Sequence, residues 1–385
     1  MKSKKTAALE IYVHIPFCVK KCDYCDFLSG PATKEKQDEY VEALLKEIEE
    51  QQPKSSDRVV SVFIGGGTPS AIDAEWIGKI IDKLREKFSF SPEAEISMEA
   101  NPGTLTREKL SIYKEHGVNR ISLGLQSALD EELKVLGRIH TFQEFLESYQ
   151  MVRETGFKNV NVDLMSAIPT QNYDSWIHNL RTVAELEPEH ISAYSLIIEE
   201  GTPFYERFCA GAMEGLDLPD EDTEYRMYED TAKVLREYGY EQYEISNYAK
   251  PGYSCRHNIG YWKRTNYLGF GLGAASLYRN LRYSNTSDME EYLKLSCEPE
   301  KLRRDVQELS EQEQWEEFMF LGLRMTEGIC EAEFEEMFGR KLPDRYKKIL
   351  EKYEKSGFLE SENGYTRFSR KGIHVSNQIL AEFLE

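Results

Sequence analysis

Cys18, Cys22 and Cys25 stand in the stretch EIYVHIPFCVKKCDYCDF, spaced C-x3-C-x2-C directly after a short apolar run. Three of the chain's seven cysteines thus fall within eight residues. Thiolates at short spacing hold iron–sulfur clusters or zinc. A [4Fe–4S] cubane normally takes four thiolates, so three leave one iron open. The amino and carboxylate groups of a small molecule can fill that position. Zinc is the competing reading, because Zn²⁺ takes four ligands in a tetrahedron and His14 or Cys255 would supply the fourth.

Other chemistry-bearing residues stand at the ends of later apolar runs. FIGGGTPS carries Gly65, Gly66, Gly67 and Thr68. Glycines there let backbone approach a ligand closely. No Gly-Lys-Ser/Thr follows, so this is not a phosphate-cradling loop. Glu99 closes the run in MEANPG and has an electrostatic reason to face a cation. Gln126, ending SLGLQ, can donate and accept. Arg138 in LGRIH offers a planar fork for a carboxylate. Asp163 in NVDLM suits ribose hydroxyls. CRHNIGYW brings together Cys255, His257, Tyr261 and Trp262. Imidazole and thiolate are both metal ligands, and the two aromatics are suited to stacking on a flat ligand. The pattern is not C-x-x-C-H, which excludes c-type covalent attachment.

Six β-branched or aromatic runs position these residues. They begin at Ile11, Val59, Glu95, Arg120, Asn159 and His190. Several are near-continuously apolar, as in a parallel sheet buried on both faces. Helical stripes alternate with them. One carries Tyr40, Val41, Leu44, Leu45 and Ile48; the next carries Ile77, Ile80, Ile81, Leu84 and Phe88. Gly117 and Gly156 follow two further helical patterns as C-caps. The alternation predicts right-handed βαβ units. Six units are too few for a closed eight-stranded barrel. The fold expected is α/β, a partial (β/α)6 barrel of TIM type, with an open doubly wound sheet as the alternative. Residues 1–215 would form the barrel with cluster and cofactor site. Residues 216–287 would close it and carry H-N-x-x-Y-W, and 288–385 would form a small helical, winged-helix-like domain. In that last part Asn363-Gly364 predicts a type I′ hairpin, followed by one helix over GIHVSNQILAEFL.

The net charge of −20 argues against a nucleic-acid footprint, which needs a basic face. No apolar run approaches the ~20 residues of a membrane span. The N-terminal MKSKKTAALE has no apolar segment behind it, so no secretory signal is read. Few, odd-numbered cysteines point to reduced thiols and a cytoplasmic location.

The chain resembles the radical SAM superfamily. Within it, the chain is similar to the oxygen-independent coproporphyrinogen III oxidases and their paralogues, the HemW-type heme chaperones. YVHIPFCVKKCDYCDF, FIGGGTPS, MEANPGT, RISLGLQS, LGRIHT, NVDLMSAIP and CRHNIGYW carry the resemblance across nearly the whole chain. It implies a [4Fe–4S] cluster on Cys18, Cys22 and Cys25 with S-adenosylmethionine (SAM) on the open iron. It also implies SAM contacts from Tyr12, Tyr24, Gly66, Gly67, Thr68, Glu99, Gln126, Arg138, Asp163 and Ile197. Two departures set the chain apart from the oxidases. Phe27 stands where those enzymes carry a further cysteine, and only ten residues precede the first strand, where they have a longer arm. Both match the heme-chaperone pattern, with H-N-x-x-Y-W as its other mark. That pattern implies heme as cargo with His257 its preferred axial ligand and Cys255 the alternative, apo-hemoproteins such as respiratory enzymes as acceptors, peripheral contact with the cytoplasmic membrane, and a homodimer. Oxidative decarboxylation of coproporphyrinogen III, or radical chemistry on another substrate, is the enzymatic alternative.

Overall fold

A computed structural model describes residues 7–209 and 217–384. Six parallel strands lie side by side in chain order: β1 (Ala7–Ile15), β2 (Asp57–Gly66), β3 (Phe90–Ala100), β4 (Arg120–Gln126), β5 (Val160–Ser166) and β6 (His190–Ser195). The connections carry α1 (Lys34–Glu50), α2 (Ala74–Lys87), α3 (Arg107–Glu115), α4 (Asp130–Val135), α5 (Phe142–Glu154) and α6 (Tyr173–Glu185). Strand order never reverses, as it does in a doubly wound sheet, so the winding is that of a barrel.

The local reasons are those the sequence shows. β4 buries six of its seven residues, because helices cover one face and the barrel interior the other. α2 turns Ile77, Ile80, Ile81 and Leu84 inward, with Phe88 capping its end. Thr33 and Asp73 cap the starts of α1 and α2 through their side-chain oxygens, and Thr141 with Glu144 forms a full capping box on α5. Gly117 and Gly156, at φ +96° and +90°, terminate α3 and α5.

The sheet continues past both barrel edges. After α7 (Pro203–Cys209) and α8 (Glu221–Glu237), β7 (Glu241–Gln242) and β8 (Asn247–Ala249) add antiparallel strands beyond β6. α9 (Arg256–Trp262) leads into β9 (Asn266–Phe270), which pairs in parallel with β1. β10 (Ala275–Tyr278) and β11 (Leu281–Asn285) follow as antiparallel neighbours. Beyond α10 (Met289–Leu295) and α11 (Pro299–Leu302), β12 (Arg303–Glu308) pairs with β11. This twelve-stranded sheet stays open between β7 and β12, a partial barrel. β12 lies beyond the expected division at 287/288 yet belongs to the main sheet. The expected division at 215/216 lies outside the described residues.

The C-terminal unit has its own apolar core, including Phe318, Met319, Phe334, Tyr346 and Phe383. It runs α12 (Glu311–Gly322), β13 (Ile329–Cys330), α13 (Glu331–Phe338), α14 (Asp344–Lys355), β14 (Leu359–Glu362) and β15 (Tyr365–Phe368). Asn363 and Gly364 both have positive φ, 54° and 86°, as a type I′ hairpin requires. The single helix expected after it is instead two, α15 (Arg370–His374) and α16 (Ser376–Ala381). They part at β-branched Val375, whose φ of −112° leaves the helical range. Among the described residues no helix is long and apolar enough to cross a membrane.

Candidate cluster and cofactor site

The cysteines sit on the loop between β1 and α1, at the carboxyl end of the barrel where ligands of such folds lie. Cys18 N–H donates to Gly30 O at 3.0 Å, and Gly30 N–H donates to Pro16 O at 3.0 Å, closing the loop's neck. Asp23 anchors its middle, accepting Phe204 N–H on its backbone oxygen at 3.0 Å and pairing with Arg207 at 2.6 Å.

All three cysteines line one cavity of about 380 Å³, together with Tyr24, Gly66, Gly67, Thr68, Glu99, Gln126, Arg138, Asp163 and Ile197. Thr68 Oγ1 donates to Cys18 Sγ at 3.6 Å, and Arg138 Nη1 donates to Cys22 Sγ at 3.5 Å. Asn101 joins the two donors. Its Nδ2 donates to Thr68 Oγ1 at 2.8 Å, and its Oδ1 accepts Arg138 Nη2 at 2.9 Å. This arch places hydrogen-bond donors on two of the three sulfurs. Arg138 Nε is buried without a partner. The fork expected to hold a carboxylate is therefore mostly committed to Cys22, Asn101 and the Gly124 carbonyl.

The glycine loop works by close approach. A Cβ on Gly67 would lie 2.6 Å from Phe17 O, and one on Gly66, at φ +110°, would lie 2.5 Å from the His14 ring. Gly66 N–H instead donates to Glu99 at 3.1 Å. Burial, reinforced by the charge of Asp163, raises Glu99 to about 8. Asp163 accepts Ser122 Oγ at 3.1 Å and Asn161 Nδ2 at 2.7 Å, and burial raises its pKa too. Two carboxyl groups in a desolvated wall, with Arg120 the cation that acts on both, leave room for a positively charged ligand. Gln126 is turned into the cavity by a register break after Gly124 and has φ +76°. Tyr24 packs on Leu136, Met165, Ile168 and Phe204. Ile197 is 68% exposed on the rim.

Tyr12 is not in this group. It lines an adjoining cavity of about 660 Å³ that shares Phe27, Gly66, Glu99, Ser122, Asp163 and Tyr194 with the first. Its hydroxyl donates to His14 Nδ1 at 2.9 Å, while His14 Nε2–H donates to Leu28 O at 2.9 Å. His257 also lines the larger cavity but is 1% exposed. Its Nδ1 meets Ser61 Oγ at 2.9 Å, its Nε2 meets Tyr261 OH at 3.1 Å, and the ring stacks on Phe63. Burial, with Arg120 nearby, lowers His257 to about 3. Both ring nitrogens are engaged, so in this conformation the expected heme ligand offers no free lone pair. Cys255 is fully buried against Glu95, and burial pushes its thiol up to about 12.

Among the described residues no three His, Cys, Asp or Glu side chains converge on a single ion. His14 and Cys255 are committed elsewhere, so neither completes a zinc tetrahedron with the three cysteines. Thiols spread along one cavity wall suit ligands of three separate irons. Asn101, Tyr194 and Arg120 escaped the sequence reading. Asn101 stood within MEANPG but had no chemistry of its own to single it out.

A model described as Radical SAM superfamily matches residues 12–183, and one described as HemN C-terminal domain matches 309–375. The chain is 36% identical over 375 residues to a protein of Bacillus subtilis (strain 168) named Heme chaperone HemW, covering 97% of this chain and 98% of that one. It is 41% identical over 272 residues to the protein of the same name from Escherichia coli (strain K12), covering 70% of each. Its fold matches that of a solved structure, coproporphyrinogen III oxidase (HemN) from Escherichia coli, with a TM-score of 0.83 at 23% identity over 99% of this chain and 91% of that one. The chain belongs to the radical SAM superfamily and, within it, to the family of the heme chaperone HemW.

Proposed function

We propose that this protein binds heme and delivers it to apo-hemoproteins, respiratory enzymes among them, and that it carries a [4Fe–4S] cluster with SAM. The observation that carries the reading is Phe27. It stands two positions after Cys25, where the oxidase pattern has a cysteine, and it forms an exposed apolar edge shared by the two cavities. The full-length likeness to proteins named heme chaperone supports the same reading.

In this reading Cys18, Cys22 and Cys25 hold three irons and leave the fourth to SAM. Thr68 and Arg138 stabilise the thiolate charge by donating to two of the sulfurs. Gly66 and Gly67 bring backbone to the ligand's polar end. Glu99 and Asp163 present carboxylates to its cationic centre, and Gln126, Tyr24 and Ile197 border the rest of its seat. When bound and reduced, the cluster supplies one electron to SAM. Cytoplasmic location, contact with a membrane surface and a homodimer belong to the same proposal.

His257 ligates iron only by giving up the contact of Nε2 with Tyr261 or that of Nδ1 with Ser61. An anaerobic hemin titration of the cluster-reconstituted protein tests the reading, beside a His257→Ala variant. Saturation near one heme per chain supports it, and an altered Soret band in the variant assigns the ligand. Incubation with coproporphyrinogen III, SAM and a reductant should leave every carboxyl group in place. Loss of carboxyl groups would return decarboxylation to first place.

A further inference from the structure

Arg120, the first residue of β4, is 2% exposed and lines the 660 Å³ cavity. Its Nε is buried without a partner. No hydrogen bond or ion pair to its guanidinium is found among the described residues. A guanidinium held in this way is costly, because its Nε–H has left water without a replacement partner and the charge sits in a largely desolvated wall. The acids around it are turned elsewhere. Glu95 receives Ser97 Oγ at 3.1 Å, Cys255 Sγ at 3.5 Å and Arg256 N–H at 3.2 Å. Asp163 is held by Ser122 and Asn161. Burial raises Glu99 and Glu10 each to about 8, so the acids that act on Arg120 are Glu95 and Asp163, across space and with no hydrogen bond to it.

The rest of the lining is mixed: Ser122, Asn161, Asp163, Ser192, Asn258 and Arg282 are polar, and aromatic and apolar side chains form the larger part of the surface. Phe63, Tyr194, Tyr261, Tyr267 and Leu277 line its walls. Phe27 and Leu28, 61% and 39% exposed, mark its mouth. The volume lies within the ~300–1,000 Å³ of pockets that enclose a compact organic ligand. One buried cation at the end of an aromatic chamber fits a flat, largely apolar molecule with a carboxylate on its edge. A planar fork suits that carboxylate bidentately.

We propose that heme is held inside the barrel, in this cavity, with one propionate paired to Arg120. The inference rests on the heme-binding reading and assigns it a seat. Heme and SAM would then be neighbours, because the two cavities share Gly66, Glu99, Ser122, Asp163 and Tyr194. The mouth at Phe27 and Leu28 would be the route of entry and release.

The test compares hemin with hemin dimethyl ester, whose propionates carry no charge, on cluster-reconstituted wild type, Arg120→Gln and Arg120→Lys. Wild type should bind hemin at least about tenfold more tightly than the ester, the difference of a charge-assisted pair. Arg120→Gln should bind both equally, and Arg120→Lys should keep part of the preference. Should Arg120→Gln fail to fold, the ligand comparison on wild type with Arg120→Lys still decides. Equal binding of hemin and ester by wild type overturns the proposal, as does an unchanged preference in the glutamine variant. Absence of saturable hemin binding by wild type is a different failure. It sinks the heme-chaperone reading itself, and the seat with it.

Discussion

Two regions bury charge in opposite ways. In the seam between α1 and the strands β9 to β11, Glu47 is 1% exposed and fully served. It accepts Gly271 N–H at 2.9 Å, Asn285 Nδ2 at 2.7 Å and Tyr292 OH at 2.6 Å. On α12, Glu317 is likewise served, by Arg264 Nε at 2.6 Å and Arg282 at 2.7 Å. In the barrel interior Glu99 has one donor, Gly66 N–H, and Arg120 has no hydrogen-bond acceptor among the described residues. Burial raises both glutamates, Glu47 to about 7 and Glu99 to about 8, so burial alone does not separate them. Partners do. Charge satisfied by the protein holds elements together, whereas charge left unsatisfied beside a cavity is stabilised by a ligand.

The comparison predicts that interior changes remove ligands and seam changes remove stability. The largest effect is on the cluster: serine at Cys18, Cys22 or Cys25 should bring iron and acid-labile sulfide of the reconstituted protein close to zero, with far-UV circular dichroism unchanged. Next, Glu47→Ala strands two buried donors and a backbone N–H, and should cost about 3–5 kcal/mol in denaturant unfolding. At pH 5, Glu99→Gln should change ligand-free stability by less than about 1 kcal/mol, and at pH 8 it should weaken SAM binding about tenfold. If Glu99→Gln proves as destabilising as Glu47→Ala, the contrast between the regions fails.

A pH series sharpens it further. The folded-state pKa of Glu99 lies above its ordinary value of 4.5, so its contribution to stability is present below about 4.5 and is lost as pH rises through about 8. Relative to Glu99→Gln, ligand-free wild type should lose thermal stability from pH 5 to 8. SAM affinity should rise over the upper part of that range, because a cation favours the ionised carboxylate. A flat profile in wild type, or an equal slope in the variant, would remove Glu99 from the cofactor wall. The smallest effect belongs to the exposed Lys83–Glu49 pair at 2.9 Å, where Lys83→Met should move stability by no more than about 1 kcal/mol.

Much of this was legible in the sequence, for local reasons. Strands buried on both faces read as unbroken apolar runs, and β4 is RISLGLQ. The cysteine spacing, the glycine triplet and Glu99 lie within single motifs, so their meeting in one cavity follows from the βα alternation. What stayed hidden depends on distant partners. The parallel pairing of β9 with β1 joins Asn266 to Leu9 and leaves no periodic signal. Arg120 reads as an ordinary charge at a strand start, since only the assembled partial barrel buries it. His257 was chosen as a heme ligand by type. Its contact with Tyr261 is a one-turn contact within α9, but that with Ser61 depends on α9 packing against β2.

The central claim is that the protein hands heme on. The most direct measurement mixes heme-loaded protein with an apo-hemoprotein of a respiratory complex and follows the acceptor's own Soret band. A parallel sample receives free hemin at the same concentration, with excess apo-myoglobin present in both as a trap for released heme. The account predicts that the acceptor fills from the loaded protein while the trap stays largely empty. Heme that remains on the protein, or reaches the trap as readily as free hemin does, would contradict it.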